Sequence, residues 1–159
     1  MSWLERSLFR KMLVCCALPA LCGLAILGCI AVQTFGSAGR AAAEQELIRQ
    51  GKTVNAVLNQ SGGRDVSELL ASFEQTLQKR ITAFDLSGQI VAASYADEVY
   101  KDITLSEEDR IALRSGEVIR SGIVKNDENR MMLSVIVPWG SEENVRGGLQ
   151  LQMPAESLF

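Results

Sequence analysis

The chain begins with a long apolar run that is bounded by charge. Met12 to Val32, 21 residues, are strongly apolar, and no charged residue occurs between Met12 and Gly39. A helix of that length measures about 31 Å, close to the hydrocarbon thickness of a bilayer. The run therefore predicts a transmembrane helix over residues 12–35, preceded by a stub of residues 1–11.

Two helices are predicted in residues 36–79. The first continues from the apolar run, since no strong breaker separates them, and extends to Asn59. Asp65 and Ser67 are candidate N-caps of the second, which is expected to end near Gln78. Apolar residues recur at helical spacing in both helices: Leu47, Val54 and Leu58 in the first, and Val66, Leu69, Leu70, Phe73 and Leu77 in the second.

The pattern changes to that of strands at Arg80, and residues 80–153 predict a sheet domain. A tight turn at residues 85–88 suits a hairpin, with Gly88 at a position of positive φ. A short helix is expected between Ser106 and Gly116. Because short turns join most strands, we predict an α+β fold with a five-stranded antiparallel sheet flanked by helices. The β-rich runs are 81–86, 89–94, 117–124, 130–139 and 145–153, and the most apolar, 130–139, is expected to be central.

The charges beside the apolar run indicate its orientation. The stub carries Arg6, Arg10 and Lys11 against Glu5, and the side richer in Lys and Arg normally stays in the cytoplasm. We therefore expect a single-pass protein of the bacterial inner membrane, with its N-terminus cytoplasmic and its C-terminal domain extracytoplasmic.

Two other interpretations of the run remain open. A cleaved signal peptide has a shorter apolar stretch, of roughly 7–15 residues. A lipoprotein signal is the stronger alternative, because residues 26–29, Ile-Leu-Gly-Cys, loosely resemble a lipobox that ends at Cys29. Apolar residues continue beyond Cys29, which favours the uncleaved anchor.

Composition excludes several classes of function. Beyond the stub the chain has thirteen basic and eighteen acidic residues, a net charge of −5, which disfavours nucleic-acid binding. The sequence has no histidine, and its four cysteines all lie in the apolar run. Zinc, haem and iron–sulfur sites therefore lose their usual ligands, and Ser-His or Cys-His catalysis is impossible. We expect no cofactor, no metal and no enzymatic activity in this chain.

An acidic stretch between Asp97 and Asp109 is a candidate site for Ca²⁺ or Mg²⁺. It holds six carboxylates within 13 residues, and Ca²⁺ prefers oxygen ligands. Three of the six open the predicted short helix, where acidic residues favour the helix dipole. The spacing is not that of an EF-hand, so the helix accounts for these acids better than a metal does.

Several segments resemble a known family. They are Ile81-Thr-Ala-Phe-Asp-Leu-Ser-Gly-Gln-Ile-Val-Ala-Ala-Ser94, Ala112-Leu-Arg-Ser-Gly116, Met132-Leu-Ser-Val-Ile-Val-Pro138 and Gly147-Gly-Leu-Gln-Leu151. In order and character they are similar to the PAS-like, single-Cache sensor domains of bacterial receptor histidine kinases and chemoreceptors. The resemblance covers roughly residues 40–155.

The resemblance implies a membrane-anchored extracytoplasmic sensor module of the two-component type, with signals transmitted through the membrane helix. Residues 154–159 would then begin an exit helix towards a second membrane span. A kinase or other transmitter would lie in a further C-terminal part or on a partner, and a homodimer is expected. The alternative is a non-signalling, membrane-anchored envelope assembly or protein-interaction factor.

The resemblance also indicates where a ligand would bind, between the sheet and the segment that joins the second and third strands. The residues available there are Tyr95, Tyr100, Arg110 and Arg114, with Arg120 and Arg130 on neighbouring strands. Arginine suits carboxylate or phosphate groups, so a small anionic ligand is one hypothesis. The other is that these arginines are solvated and neutralise nearby acids.

The helix that follows the apolar run is the expected coupling element. Leu47, Val54 and Val57 are candidates for a parallel dimer seam, whose rearrangement would carry the signal. The same residues could instead pack on their own sheet, and the sequence leaves both possibilities open.

Overall fold

The computed structural model describes residues 3–61, 65–95, 102–126 and 128–158, and in the first helix the side chains of residues 21–28 and from residue 38 onward. Its helices are α1 (Trp3–Gln60), α2 (Val66–Leu77) and α3 (Glu107–Arg114). The strands are β1 (Arg80–Asp85), β2 (Ile90–Ala93), β3 (Ile119–Lys125), β4 (Met131–Ser141) and β5 (Asn144–Pro154), followed by a 3₁₀ turn at Ala155–Leu158.

The chain consists of two compact units, Met1–Gly39 and Arg40–Phe159. Among the described residues, no helix combines the length and the apolar composition that crossing a membrane requires. For much of the predicted membrane run, the side chains are not among those described. The membrane span therefore stays a prediction from the sequence.

The second unit is built on the predicted five-stranded antiparallel sheet. Its strand order is β2-β1-β5-β4-β3, and every neighbouring pair is antiparallel. The prediction that residues 130–139 form the central strand was wrong, because β5 occupies the middle position. The apolar character of β4 reflects cover on both of its faces rather than a central place.

One face of the sheet packs on the first two helices. Leu47, Val54 and Leu58 of α1 and Leu70 of α2 join a core with alternate residues of the inner strands: Ile81, Ala83, Leu133, Val135, Val137, Leu149 and Leu151. The other face carries a smaller cluster, in which Phe84 and Ile136 pack with Leu105 and Leu113. Alternation along the strands separates these two sets.

The predicted first hairpin turn is confirmed. Gly88 has a φ of +92°, and the Asp85 carboxylate accepts hydrogen bonds from the Ser87 N–H at 2.8 Å and the Gln89 N–H at 3.0 Å. These bonds, with the Ser87 hydroxyl as the largest contributor, lower the pKa of Asp85 below its ordinary value of 3.8. The turn is thus held by a charged acceptor.

The short helix α3 is also confirmed with its cap. Ser106 Oγ accepts from the Asp109 N–H, and the Asp109 carboxylate accepts from the Ser106 N–H, each at 3.1 Å. This reciprocal pair is a capping box. Gly116 follows the helix with a φ of +81°.

Candidate functional site

A row of polar side chains crosses the second face of the sheet. Thr82 of β1 lies opposite Gln150 of β5, and Gln150 lies opposite Ile136, two residues from Ser134 on β4. Ser134 is fully buried and Thr82 is 3% exposed. Gln150 Nε2 donates to Ser134 Oγ at 3.1 Å, and Thr82 Oγ1 donates to the Tyr95 hydroxyl at 3.4 Å. Gln150 is half-buried between the buried Thr82 and Ser134, so this face carries hydrogen-bonded polar groups as well as an apolar cluster.

A cavity of about 250 Å³ lies beside this row. Arg80 and Gln152, which pair across β1 and β5, continue the polar row by one step along the strands. The lining comes from the end of α2, the start of β1, the β3–β4 turn and the inner strands: Glu74, Gln78, Lys79, Arg80, Asn126, Arg130, Met132, Gln152 and Pro154.

Two arginines of the cavity lining share one carboxylate partner. Arg80 Nη2 lies 3.3 Å from Glu128 Oε1, and Arg130 pairs with the other oxygen of the same carboxylate. The Arg80 guanidinium also lies over the Tyr95 ring, 4.9 Å from its centroid. Asn126 Nδ2 is buried without a hydrogen-bond partner in the described part of the chain. The cavity therefore offers cationic and amide donors that suit an anion.

The structure brings together only part of the predicted ligand set. Arg130 lines the cavity, and Tyr95 reaches it through Arg80. Tyr100 lies outside the described residues. The other three arginines are not in the described lining: Arg110 pairs with Glu107 at 3.5 Å on α3, and Arg114 and Arg120 are exposed.

The sequence interpretation did not include Arg80. A signal was present, because alternation places Arg80, Thr82 and Phe84 on one face of the first strand. Lys79, Asn126 and Gln152 were also missed. Their place at the cavity depends on how the β3–β4 turn meets the end of α2, which no local pattern reports.

The predicted coupling residues lie at different depths. Leu47 and Val54 are fully buried in the core of their own domain, whereas Val57 is 36% exposed. This placement matches the alternative in which the helix packs on its own sheet. On the outer side of α1, the hydrogen bond from Arg49 lowers the pKa of Glu46 to about 2.

The acidic stretch is only partly described. Asp97 and Glu98 lie outside the described residues, and Glu107, Glu108 and Asp109 form the first turn of α3. Among the side chains that are described, no group of three or more His, Cys, Asp or Glu residues is arranged to hold a metal ion.

No family model and no curated protein matches the chain in sequence. Solved structures do match it in fold. The ligand-binding domain of the Pseudomonas aeruginosa PAO1 amino acid chemoreceptor PctC, in complex with GABA, is 15% identical with a TM-score of 0.58, over 84% of this chain and 62% of that one. The ligand-binding domain of the Campylobacter jejuni chemoreceptor Tlp3, in complex with L-norvaline, is 10% identical with a TM-score of 0.57, over 79% of this chain and 57% of that one.

The chain thus spans about three fifths of the length of these domains. At such low identity the match concerns the fold. The predicted resemblance is confirmed at that level: the chain has the PAS-like fold of the ligand-binding domains of bacterial chemoreceptors.

Proposed function

We propose that this chain is the membrane-anchored, extracytoplasmic sensor module of a bacterial signal-transduction receptor, and that it binds a small carboxylate ligand. The observation that carries the proposal is the cavity beside the buried polar row, where Arg80 and Arg130 converge. A cavity of about 250 Å³ is below the usual range for drug-sized ligands, roughly 300–1,000 Å³, and suits a smaller molecule.

An amino acid is the ligand class that the cavity fits best. The matched chemoreceptor domains were solved with L-norvaline and with GABA, and each of these molecules carries one carboxylate and one ammonium group. Here the guanidinium groups of Arg80 and Arg130 suit the carboxylate, and Glu74 on the lining suits the ammonium. Asn126 and Gln152 support the same interpretation, since these lining residues supply neutral hydrogen-bonding groups beside the charges.

Membrane anchoring rests on the sequence and on exposed apolar residues of α1. Leu21, Leu24 and Leu27 are 65–68% exposed, which is unfavourable in water and favourable in a bilayer. The cationic stub favours a cytoplasmic N-terminus. In this arrangement the C-terminal domain lies outside, and the output passes to a kinase or other transmitter, in a homodimer of the two-component type.

Binding of amino acids to the full chain in detergent tests the ligand proposal. Isothermal titration with GABA and L-norvaline is expected to give binding that falls at least about tenfold in R80Q and in R130Q, because each removes a charge-assisted pair. R114Q is the matched control, since Arg114 is exposed and outside the described lining. Ligand binding that survives both R80Q and R130Q would show that the cavity is not the site.

Orientation can be tested separately. A cysteine introduced at Ser141, in a background without the four native cysteines, is expected to react with a membrane-impermeant maleimide in spheroplasts. Ser141 is exposed at the end of β4. Protection of this cysteine until the membrane is permeabilised would contradict the extracytoplasmic placement.

A further inference from the structure

We propose that Glu128 is a built-in competitor for the ligand carboxylate, so that an anion must displace it to reach Arg80 and Arg130. The inference rests on the proposed function, because it concerns the same cavity. It adds regulation: the Glu128 side chain occupies the arginine pair in the absence of ligand and leaves it on binding.

The geometry places one carboxylate across two guanidinium groups. Glu128 Oε1 lies 3.3 Å from Arg80 Nη2, and Oε2 pairs with Arg130 Nη2. Arg80 opens β1, Arg130 directly precedes β4, and Glu128 belongs to the turn between β3 and β4. A carboxylate that gives one oxygen to each arginine makes the contacts that the carboxylate of a ligand would make in the cavity.

Arg80 and the backbone of Arg130 have contacts that do not involve Glu128. Arg80 keeps the Tyr95 ring beneath its guanidinium group. The Arg130 backbone is held by Asn126, whose N–H donates to the Arg130 carbonyl at 2.9 Å and whose Oδ1 accepts from the Arg130 N–H at 2.8 Å. These contacts remain when the Glu128 side chain leaves, so Arg80 and the Arg130 backbone keep their places at the cavity.

The Glu128 side chain is able to leave at little cost. Its relative exposure is 44%, and that of Arg130 is 58%. Exposed ion pairs contribute little to stability. The turn itself is maintained by backbone bonds, including the Asn129 N–H to the Asn126 carbonyl at 2.9 Å. Displacing Glu128 therefore breaks ion pairs without unfolding the turn.

Competition has a measurable consequence for affinity. When an internal group occupies a site for most of the time, the apparent affinity equals the intrinsic affinity multiplied by the fraction of time that the site is open. Removing a weak internal competitor should therefore raise anion affinity by about 3–10-fold. This gain in affinity requires that Glu128 contact the arginines. General repulsion between the anion and a nearby negative charge requires no such contact, so the two explanations can be distinguished.

The test titrates inorganic phosphate into the full chain in detergent and compares E128Q, E128D and E142Q with the native protein. E128Q and E128D are both expected to bind phosphate about 3–10-fold more tightly than the native protein. Glutamine removes the charge that pairs with the arginines, and the shorter aspartate keeps the charge but does not span both arginines. E142Q, in the exposed β4–β5 turn, controls for net charge and should leave affinity unchanged. Adding R80Q to E128Q should abolish the gain.

The outcomes separate the two proposals. If phosphate binds and R80Q weakens it, but E128Q does not strengthen it, the competitor is refuted and the site stands. If E128D behaves like the native protein while E128Q binds more tightly, repulsion rather than contact is responsible, and the competitor is again refuted. If phosphate binding is absent, or is unaffected by R80Q in every variant, both the cavity and its competitor are overturned.

Discussion

Replacing Gly51 with alanine tests how closely α1 packs on β4 and β5. A Cβ atom at Gly51 would lie 2.6 Å from Val137 Cγ2 and 2.9 Å from Leu151 Cδ1. The Leu151 methyl is the far end of a flexible side chain and can move. Val137 is β-branched, buried and restricted in rotamer, so the helix or the strand must shift. The substitution therefore improves helix propensity but worsens the packing of the core.

The two terms are of similar size. Glycine is about 1 kcal/mol worse than alanine inside a helix, whereas overpacking a filled core costs about 1–3 kcal/mol. We expect G51A to destabilise the domain by about 1 kcal/mol. In a V137A background the obstructing methyl groups are absent, so G51A should instead stabilise by about 1 kcal/mol. The coupling energy between the two substitutions is then about 2 kcal/mol.

Chemical denaturation followed by tryptophan fluorescence measures these values. Trp139 is buried in β4, and a W3F background leaves it as the one reporter, since the chain has two tryptophans. A56G is the control, because Ala56 is exposed on the same helix and should lose about 1 kcal/mol through helix propensity alone. If G51A stabilises the native background by about 1 kcal/mol, or if G51A and V137A are additive, the close packing of α1 on the sheet is refuted.

Three further substitutions probe local contacts. D85A should lower the free energy of unfolding by about 1–2 kcal/mol at pH 7, as measured by denaturation. Because folding lowers the pKa of Asp85, this loss should shrink as the pH falls below 3.8 and through the folded-state pKa. A loss independent of pH would contradict the role of the Asp85 carboxylate in the turn. N55A removes two hydrogen bonds of 3.0 Å to the backbone N–H and carbonyl of Gly140 and should destabilise the domain by about 2–3 kcal/mol. N59A removes one bond and should cost about 1 kcal/mol; equal losses would show that the second Asn55 bond contributes no stability. S106A should lose about 1 kcal/mol with the cap of α3, and unchanged amide exchange in that helix would argue against it.

Local signals explain which parts of the fold could be predicted. The Asp85–Gly88 turn and the Ser106 cap each depend on residues within four positions of one another, and the structure forms both as expected. Alternation along β5 placed its apolar residues on one face correctly. These features require no knowledge of distant contacts.

The position of β4 illustrates where such signals end. Leu133 and Val135 belong to the core formed with α1 and α2, and Ile136 belongs to the second cluster, so both faces of β4 are covered. A run of consecutive apolar residues therefore indicates a strand that is buried on both faces. Several interior strands share this property, so the run did not identify the middle strand. Strand order is decided by pairing, and β1 pairs with β5.

The candidate site was harder to predict because distant segments build it. Arg80 and Glu128 are 48 positions apart in the chain, and the cavity also needs the end of α2. Arg110, Arg114 and Arg120 are chemically equivalent to Arg80 but lie elsewhere. Residue type alone was therefore not a guide; the missing information was which distant segments meet at the cavity, since Arg110 and Arg114 lie on α3 and Arg120 on β3.

The same two strands connect the polar row with α1. Ser134 and Gln150 point to the second face, and Val137 and Leu151 of the same strands touch Gly51 on the first. Asn55 and Asn59 fasten Gly140, at the far end of β4, to the helix. A close-packed interior transmits displacement because it has little empty space to absorb it. The Asn55 bonds and the close packing at Gly51 therefore hold α1 against the first face of the same two strands whose second face carries the polar row.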